Sequence, residues 1–155
     1  MTDIVLDTHA FRIFTNEEVM RRFVKNVCDN CDNVYVPQNI DNELRGATLL
    51  HLMREFLREL GMEKKFHRVN VEVKLLPNYI ERRLRDCGAD LFDLKVAELA
   101  YRRREIGQSV CLVSEDTCLQ GIRQIFEHHG INVRTLKEFK EEYLGIATNN
   151  IMLSR

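Results

Sequence analysis

The chain has no tryptophan and only two prolines, Pro37 and Pro77, among its 155 residues. Its seven glycines form no cluster. These scarcities exclude Pro- or Gly-rich linkers and low-complexity segments, so one domain over residues 1–145 with a short tail, 146–155, is expected. No apolar run exceeds five residues, far below the length that spans a bilayer. Neither G-x-G-x-x-G nor G-x-x-x-x-G-K occurs, which removes the common nucleotide-binding loops. The excess of one charge sign is also missing, since 23 Lys and Arg oppose 24 Asp and Glu. A formal net charge of -1 supplies no global field toward nucleic acid or membrane, so any polyanion contact must be local. Five cysteines make an odd number with no evident framework. They are expected to be buried or idle thiols in a reducing compartment, and the expectation is a cytoplasmic protein.

What is present is a regular alternation of short apolar strands and helices. The segments 4–6 (IVL), 33–37 (NVYVP) and 109–113 (SVCLV) read as buried strands, and INVRTL (131–136) as a last one. KFHRVNVEVKLL is extended, alternating Val69, Val71, Val73 and Leu75. Between these lie helical stretches. Thr15 with Glu18 resembles a capping box before Val19, Phe23 and Val27. QNIDNELRG predicts a short helix weakened at Gly46, and ATLLHLMREFLREL a stronger one. NYIERRLRDCG predicts a helix capped by Asn78 with Ile80, Leu84 and Cys87 inward. ADLFDLKVAELAYRRREIG, a helix to about His129, and KEFKEEYLG complete the set. This order predicts an α/β fold, three layers α/β/α around a central parallel sheet of four to five strands.

Two of the apolar strands run into acid: Asp7 follows IVL and Asp116 follows VCLVSE. In open α/β sheets, function gathers at the carboxyl ends of strands where the strand order reverses. Glu43 follows the second strand, and Asp93 lies one turn into its helix. Brought within roughly 5 Å, each pair of such carboxylates repels by about 1 kcal/mol in water and about 3 at an effective dielectric of 20. A bound divalent cation reverses that sign, and hard oxygen ligands suit Mg²⁺ or Mn²⁺. Each acid also has a purely local reading. Asp7 can end a strand, Asp116 can cap a helix, Asp90 is a good N-cap with Asp93 as its first-turn companion, and Glu43 can be a solvated helix residue beside Asp41.

The segments IVLDTHAF, VPQNIDNEL, DLKVAELA and LVSEDTCL, in this order, resemble the PIN-domain family of metal-dependent ribonucleases. The resemblance spans residues 3 to about 135. It implies metal ligation at Asp7, Glu43, Asp93 and Asp116, with Thr8 and Ser114 as supporting hydroxyls. It further implies Mg²⁺- or Mn²⁺-dependent hydrolysis of phosphodiester bonds in single-stranded RNA, leaving a 5′-phosphate. Many family members form homodimers and many are the toxin of a toxin–antitoxin pair, which would make an antitoxin-type protein inhibitor a partner. His9 stands where a small polar residue is common, two residues from Asp7, within reach of metal water or phosphate. Asp90 offers a second acid beside Asp93 for the third ligand position. The alternative within the same resemblance is a catalytically weak or inactive module that binds RNA or protein. A haloacid-dehalogenase-type phosphohydrolase also begins with strand-Asp-x-Asp, but here His9 replaces the second acid.

Other features are weaker. Cys28 and Cys31 have the spacing of half a zinc site and lack the other half. Arg102, Arg103 and Arg104 lie nearly three turns beyond Asp93 and are expected at the opposite end of the sheet. Arg45 and the Lys64, Lys65, Arg68 group are the better candidates for RNA contact.

Overall fold

The computed structural model describes residues 2–7, 10, 17–28, 31–37 and 44–145. Five strands form one all-parallel sheet: β1 (Thr2–Leu6), β2 (Asn33–Pro37), β3 (Phe66–Val69), β4 (Ser109–Val113) and β5 (Ile131–Arg134). Their spatial order is β3-β2-β1-β4-β5, and each adjacent pair is parallel. The helices are α1 (Glu17–Phe23), which continues as a π-helical turn Val24–Cys28, then α2 (Leu44–Glu59), α3 (Asn78–Cys87) and α4 (Leu91–Glu105). After β4 come α5 (Thr117–Gly121), α6 (Arg123–His128) and α7 (Leu136–Tyr143).

Covered on both faces, the central strands are apolar at nearly every position. Side chains alternate across the sheet. Ile4, Leu6, Val34, Val36, Cys111 and Val113 meet Phe23, Met53, Phe56, Leu57 and Phe139 from α1, α2 and α7. Val5, Tyr35, Val110, Leu112, Ile131 and Val133 meet Ile80, Leu84, Leu94, Ala97, Leu119 and Phe126 from α3 to α6. Two apolar cores therefore flank the sheet, giving the expected three layers.

Several local expectations are refined. The extended segment after residue 65 pairs with β2 only as far as Val69; beyond it Val71 and Val73 pack on the α4 side without joining the sheet. Helix α2 runs unbroken through Gly46, because its apolar stripe is buried and outweighs the local weakness. Pro77, not Asn78, is the N-cap of α3. Gly88, at φ 102, ends α3 with Ala89 N donating to Leu84 O and Gly88 N to Arg85 O, a left-handed closure that turns the chain directly into the cap of α4.

The largest departure concerns cysteine. Cys87 and Cys118 form a disulfide, with Cα atoms 5.6 Å apart, where idle thiols were expected. Two surroundings that were distant in sequence, the end of α3 and the start of α5, are adjacent in space, and spacing along the chain carries no sign of it. The residue Cys87 is exposed rather than inward, whereas Cys118 is buried. Cys31 and Cys111 lie outside the disulfide and are buried, and burial pushes their thiols up to about 11 and about 12, which disfavours the reactive thiolate. No helix among the described residues is long and apolar enough to cross a membrane.

Candidate functional site

The strand order locates the site. From β1 the chain moves outward to β2 and β3, then returns across β1 to β4 and β5. The reversal falls between β1 and β4, and the carboxyl ends of those two strands carry Asp7 and Ser114–Asp116. Register does the rest. Val5 pairs with Leu112 and Leu6 with Val113, so Asp7 continues opposite Ser114, and Asp7 N donates to Val113 O at 3.0 Å.

Asp7 is only 4% exposed. A buried carboxylate requires donors. Ser114 Oγ, fully buried, donates to Asp7 Oδ2 at 2.7 Å and accepts from Asp116 N at 3.0 Å. The serine thus links the two acid-bearing loops. Asp116 Oδ2 accepts from Leu119 N at 2.9 Å and caps α5. Its local reading is correct, yet one capping bond engages a single oxygen of a group with about four acceptor directions.

The third acid arrives from α4. Asp90 and Asp93 form a reciprocal capping box, Asp93 N to Asp90 Oδ1 at 2.9 Å and Asp90 N to Asp93 Oδ2 at 3.1 Å. The opposite end of the same helix is anchored by Arg103, whose Nε donates to the buried Asp3 Oδ2 at 2.6 Å. From residue 103 back to 93 is about 15 Å of helix. From Asp3 to Asp7 is about 13 Å of strand. Pinning Arg103 at the start of β1 therefore lays Asp93 over its end.

The electrostatics carry the same message. Burial, together with the nearby carboxylates of Asp116, Asp90 and Asp7, pushes the Asp93 carboxyl up to about 7, against the lowering influence of the Asp90 amide. Asp93 thus feels the carboxylates of both strand ends as well as that of Asp90. The donors are all carboxylate and hydroxyl oxygens, a set that fits a hard divalent cation. Among the described residues, no three acid, histidine or cysteine side chains are gathered closely enough to hold a metal ion by themselves. Glu43, Thr8 and His9 lie outside the described residues, as do Asp41 and Thr15.

Leu91 and Phe92, beside Asp93 in the first turn of α4, are 55% and 47% exposed, an apolar surface next to the acids. The basic residues divide differently. Arg102, Arg103 and Arg104 are structural and lie away from the acids, as expected: Arg102 bonds Glu98 Oε2 and Glu72 O, Arg103 bonds Asp3, and Arg104 bonds His129 O. Lys64 and Lys65 precede a parallel strand, which puts them at the amino end of the sheet, far from Asp7. That geometry removes them as contacts at this site; Arg68, paired with Val36, sits toward the carboxyl end.

Two buried polar clusters carried no sign in the motifs. Asn33 Nδ2 donates to Asp3 Oδ1 at 3.0 Å, His67 Nε2 meets Asn33 Oδ1 at 2.8 Å, and His67 stacks on Tyr35. Burial, then the Arg103 charge, lowers the His67 pKa and keeps it neutral. Glu98, fully buried in α4, accepts from the amides of Lys74, Leu75 and Leu76 at 2.8, 2.9 and 2.8 Å. A charged residue between Ala97 and Leu99, four before Arg102, was the available signal.

No family model matches the chain, and a search of the curated proteins finds no match.

Proposed function

We propose that the protein is a Mg²⁺- or Mn²⁺-dependent ribonuclease acting on single-stranded RNA at the carboxyl ends of β1 and β4. The observation that supports it is that the loops bearing Asp7, Asp116 and Asp93 lie near one another at the switch in strand order, with the Asp93 carboxyl driven up to about 7 by burial and by acidic neighbours. A site that gathers like charge against its own stability is the signature of a group awaiting a cation.

The residues divide the work. Asp7, held in one orientation by Ser114, and Asp116, held by the α5 cap, are rigid ligands. Asp93 closes the site from above, and Glu43 is the fourth candidate by its place after β2. A divalent ion held by these residues would supply activation of water and stabilisation of the leaving oxygen of a phosphodiester. Leu91 and Phe92 offer a surface on which an unpaired base can stack.

The test is cleavage of a panel of single-stranded RNAs with Mn²⁺, by wild type and by Asp7→Asn. Metal-dependent products that disappear in the variant are expected. Equal cleavage by both proteins, or none by either, overturns the proposal. A second reading, a module that binds without turnover, is favoured by the fact that Asp116 caps α5 and Asp93 is engaged in the capping box with Asp90. It predicts no product and no Mn²⁺-dependent rise in Tm.

A further inference from the structure

The Cys87–Cys118 disulfide joins the two loops that present the acids. Cys87 lies three residues before Asp90 and six before Asp93; Cys118 lies two after Asp116. The bridge crosses from the end of α3 to α5 and closes a loop of sequence separation 31 that contains α4 and β4. The caps themselves are local, the box within α4 and the Leu119 cap within α5, and neither ties one loop to the other. The bridge is the covalent tie between the loops, beside the apolar core that Leu84, Leu94 and Leu119 share.

Access to the bridge is asymmetric. Cys87 is exposed and Cys118 is buried, so an external thiol reaches the Cys87 side. Exposed disulfides are the labile ones. Cys31 and Cys111 are buried and their thiols are pushed up, so neither is a ready competitor for exchange.

We infer that Cys87–Cys118 is a thiol–disulfide exchange site that sets the spacing of the Asp93 and Asp116 loops, its partner being a small-molecule or protein dithiol. One thiolate of the dithiol attacks Cys87 Sγ, forming a mixed disulfide, and the S–S electron pair leaves with Cys118 Sγ. The second thiol of the reductant attacks its own sulfur in the mixed disulfide and releases Cys87. Two electrons pass to the protein, two protons end on Cys87 and Cys118, and the reductant becomes a disulfide. Reduction frees the α3–α4 turn from α5, the acids move apart, and divalent-ion affinity falls. That last consequence rests on the metal reading above; the spacing does not.

The experiment is amide hydrogen exchange on the full chain, oxidised and dithiothreitol-reduced, with metal removed. Cys87→Ser provides a second route to the opened form, with the Phe139 amide as the control for global loss of stability. The capping amides of Leu119 and Asp93 are expected to exchange at least about tenfold faster after reduction. The amide of Phe139, bonded to Thr135 O in α7 on the other face, is expected to change less. A Mn²⁺ titration of both forms follows. Faster exchange at the caps with weaker Mn²⁺ binding on reduction supports the inference. Faster exchange with Mn²⁺ bound by neither form upholds the spacing role and overturns the metal reading. Unchanged caps, an equal change at Phe139, or alkylation that finds Cys87 and Cys118 still free after exposure to glutathione disulfide overturns the inference.

Discussion

Asp93→Asn removes one charge from the acid site and leaves its shape. The Asn carbonyl still accepts from the Asp90 amide, so the capping box keeps both bonds. In the folded protein the Asp93 carboxyl is raised from 3.8 to about 7, chiefly by burial, then by Asp116, Asp90 and Asp7 against the Asp90 amide. Between those two values the folded chain holds a proton that the unfolded chain has lost. Fewer protons on the unfolded state means that stability falls as pH rises through this window and levels off above it. Three pKa units correspond to about 4 kcal/mol as a ceiling. Asp93 is only half-buried, and solvent screening reduces the expected loss to about 1–2 kcal/mol. The variant has no such loss. Urea unfolding in chelator is expected to find the two proteins equal near pH 4, and the variant more stable by about 1–2 kcal/mol near pH 8 with an unchanged slope. Adding Mn²⁺ at pH 8 should reverse the order, because only wild type keeps the full ligand charge. A difference that does not vary with pH, or a variant that is less stable at pH 8 in chelator, refutes the claim that these carboxylates converge.

Two further substitutions test the scaffold. Glu98→Ala leaves three backbone amides and Arg102 Nε without their acceptor, and should destabilise by about 3–5 kcal/mol in urea unfolding; a loss below about 1 kcal/mol would mean that the 74–76 segment is not clamped to α4. Asp3→Ala strands Arg103 and should cost about 3–5 kcal/mol, and in the double-mutant cycle with Arg103→Leu the two losses should be strongly non-additive. Additive effects would mean that α4 is oriented by its apolar face alone.

Much of the fold was legible because it follows from local pattern. Apolar strands of four or five residues, capped helices and Gly stops place β1, β4, α4 and α7 close to where they stand, and the alternation itself demands a parallel sheet. The extended run after Phe66 was ambiguous, since alternation does not reveal where pairing with β2 stops. The disulfide was not legible, because it depends on α3 and α5 being neighbours, which no spacing encodes.

The chain by itself determined the α/β class, the acids at strand ends, the caps of α4 and α5, and the distance of Arg102–Arg104 from Asp93, because each is a property of nearest neighbours and helical or strand period. Only tertiary structure decided that β1 and β4 are adjacent, that Arg103 fixes α4 so that Asp93 overlies Asp7, that Lys64 and Lys65 face the other end, and that Cys87 meets Cys118. Those are long-range facts, set by burying both faces of one sheet at once and by satisfying the charges, Asp3 and Glu98, that folding carried inside.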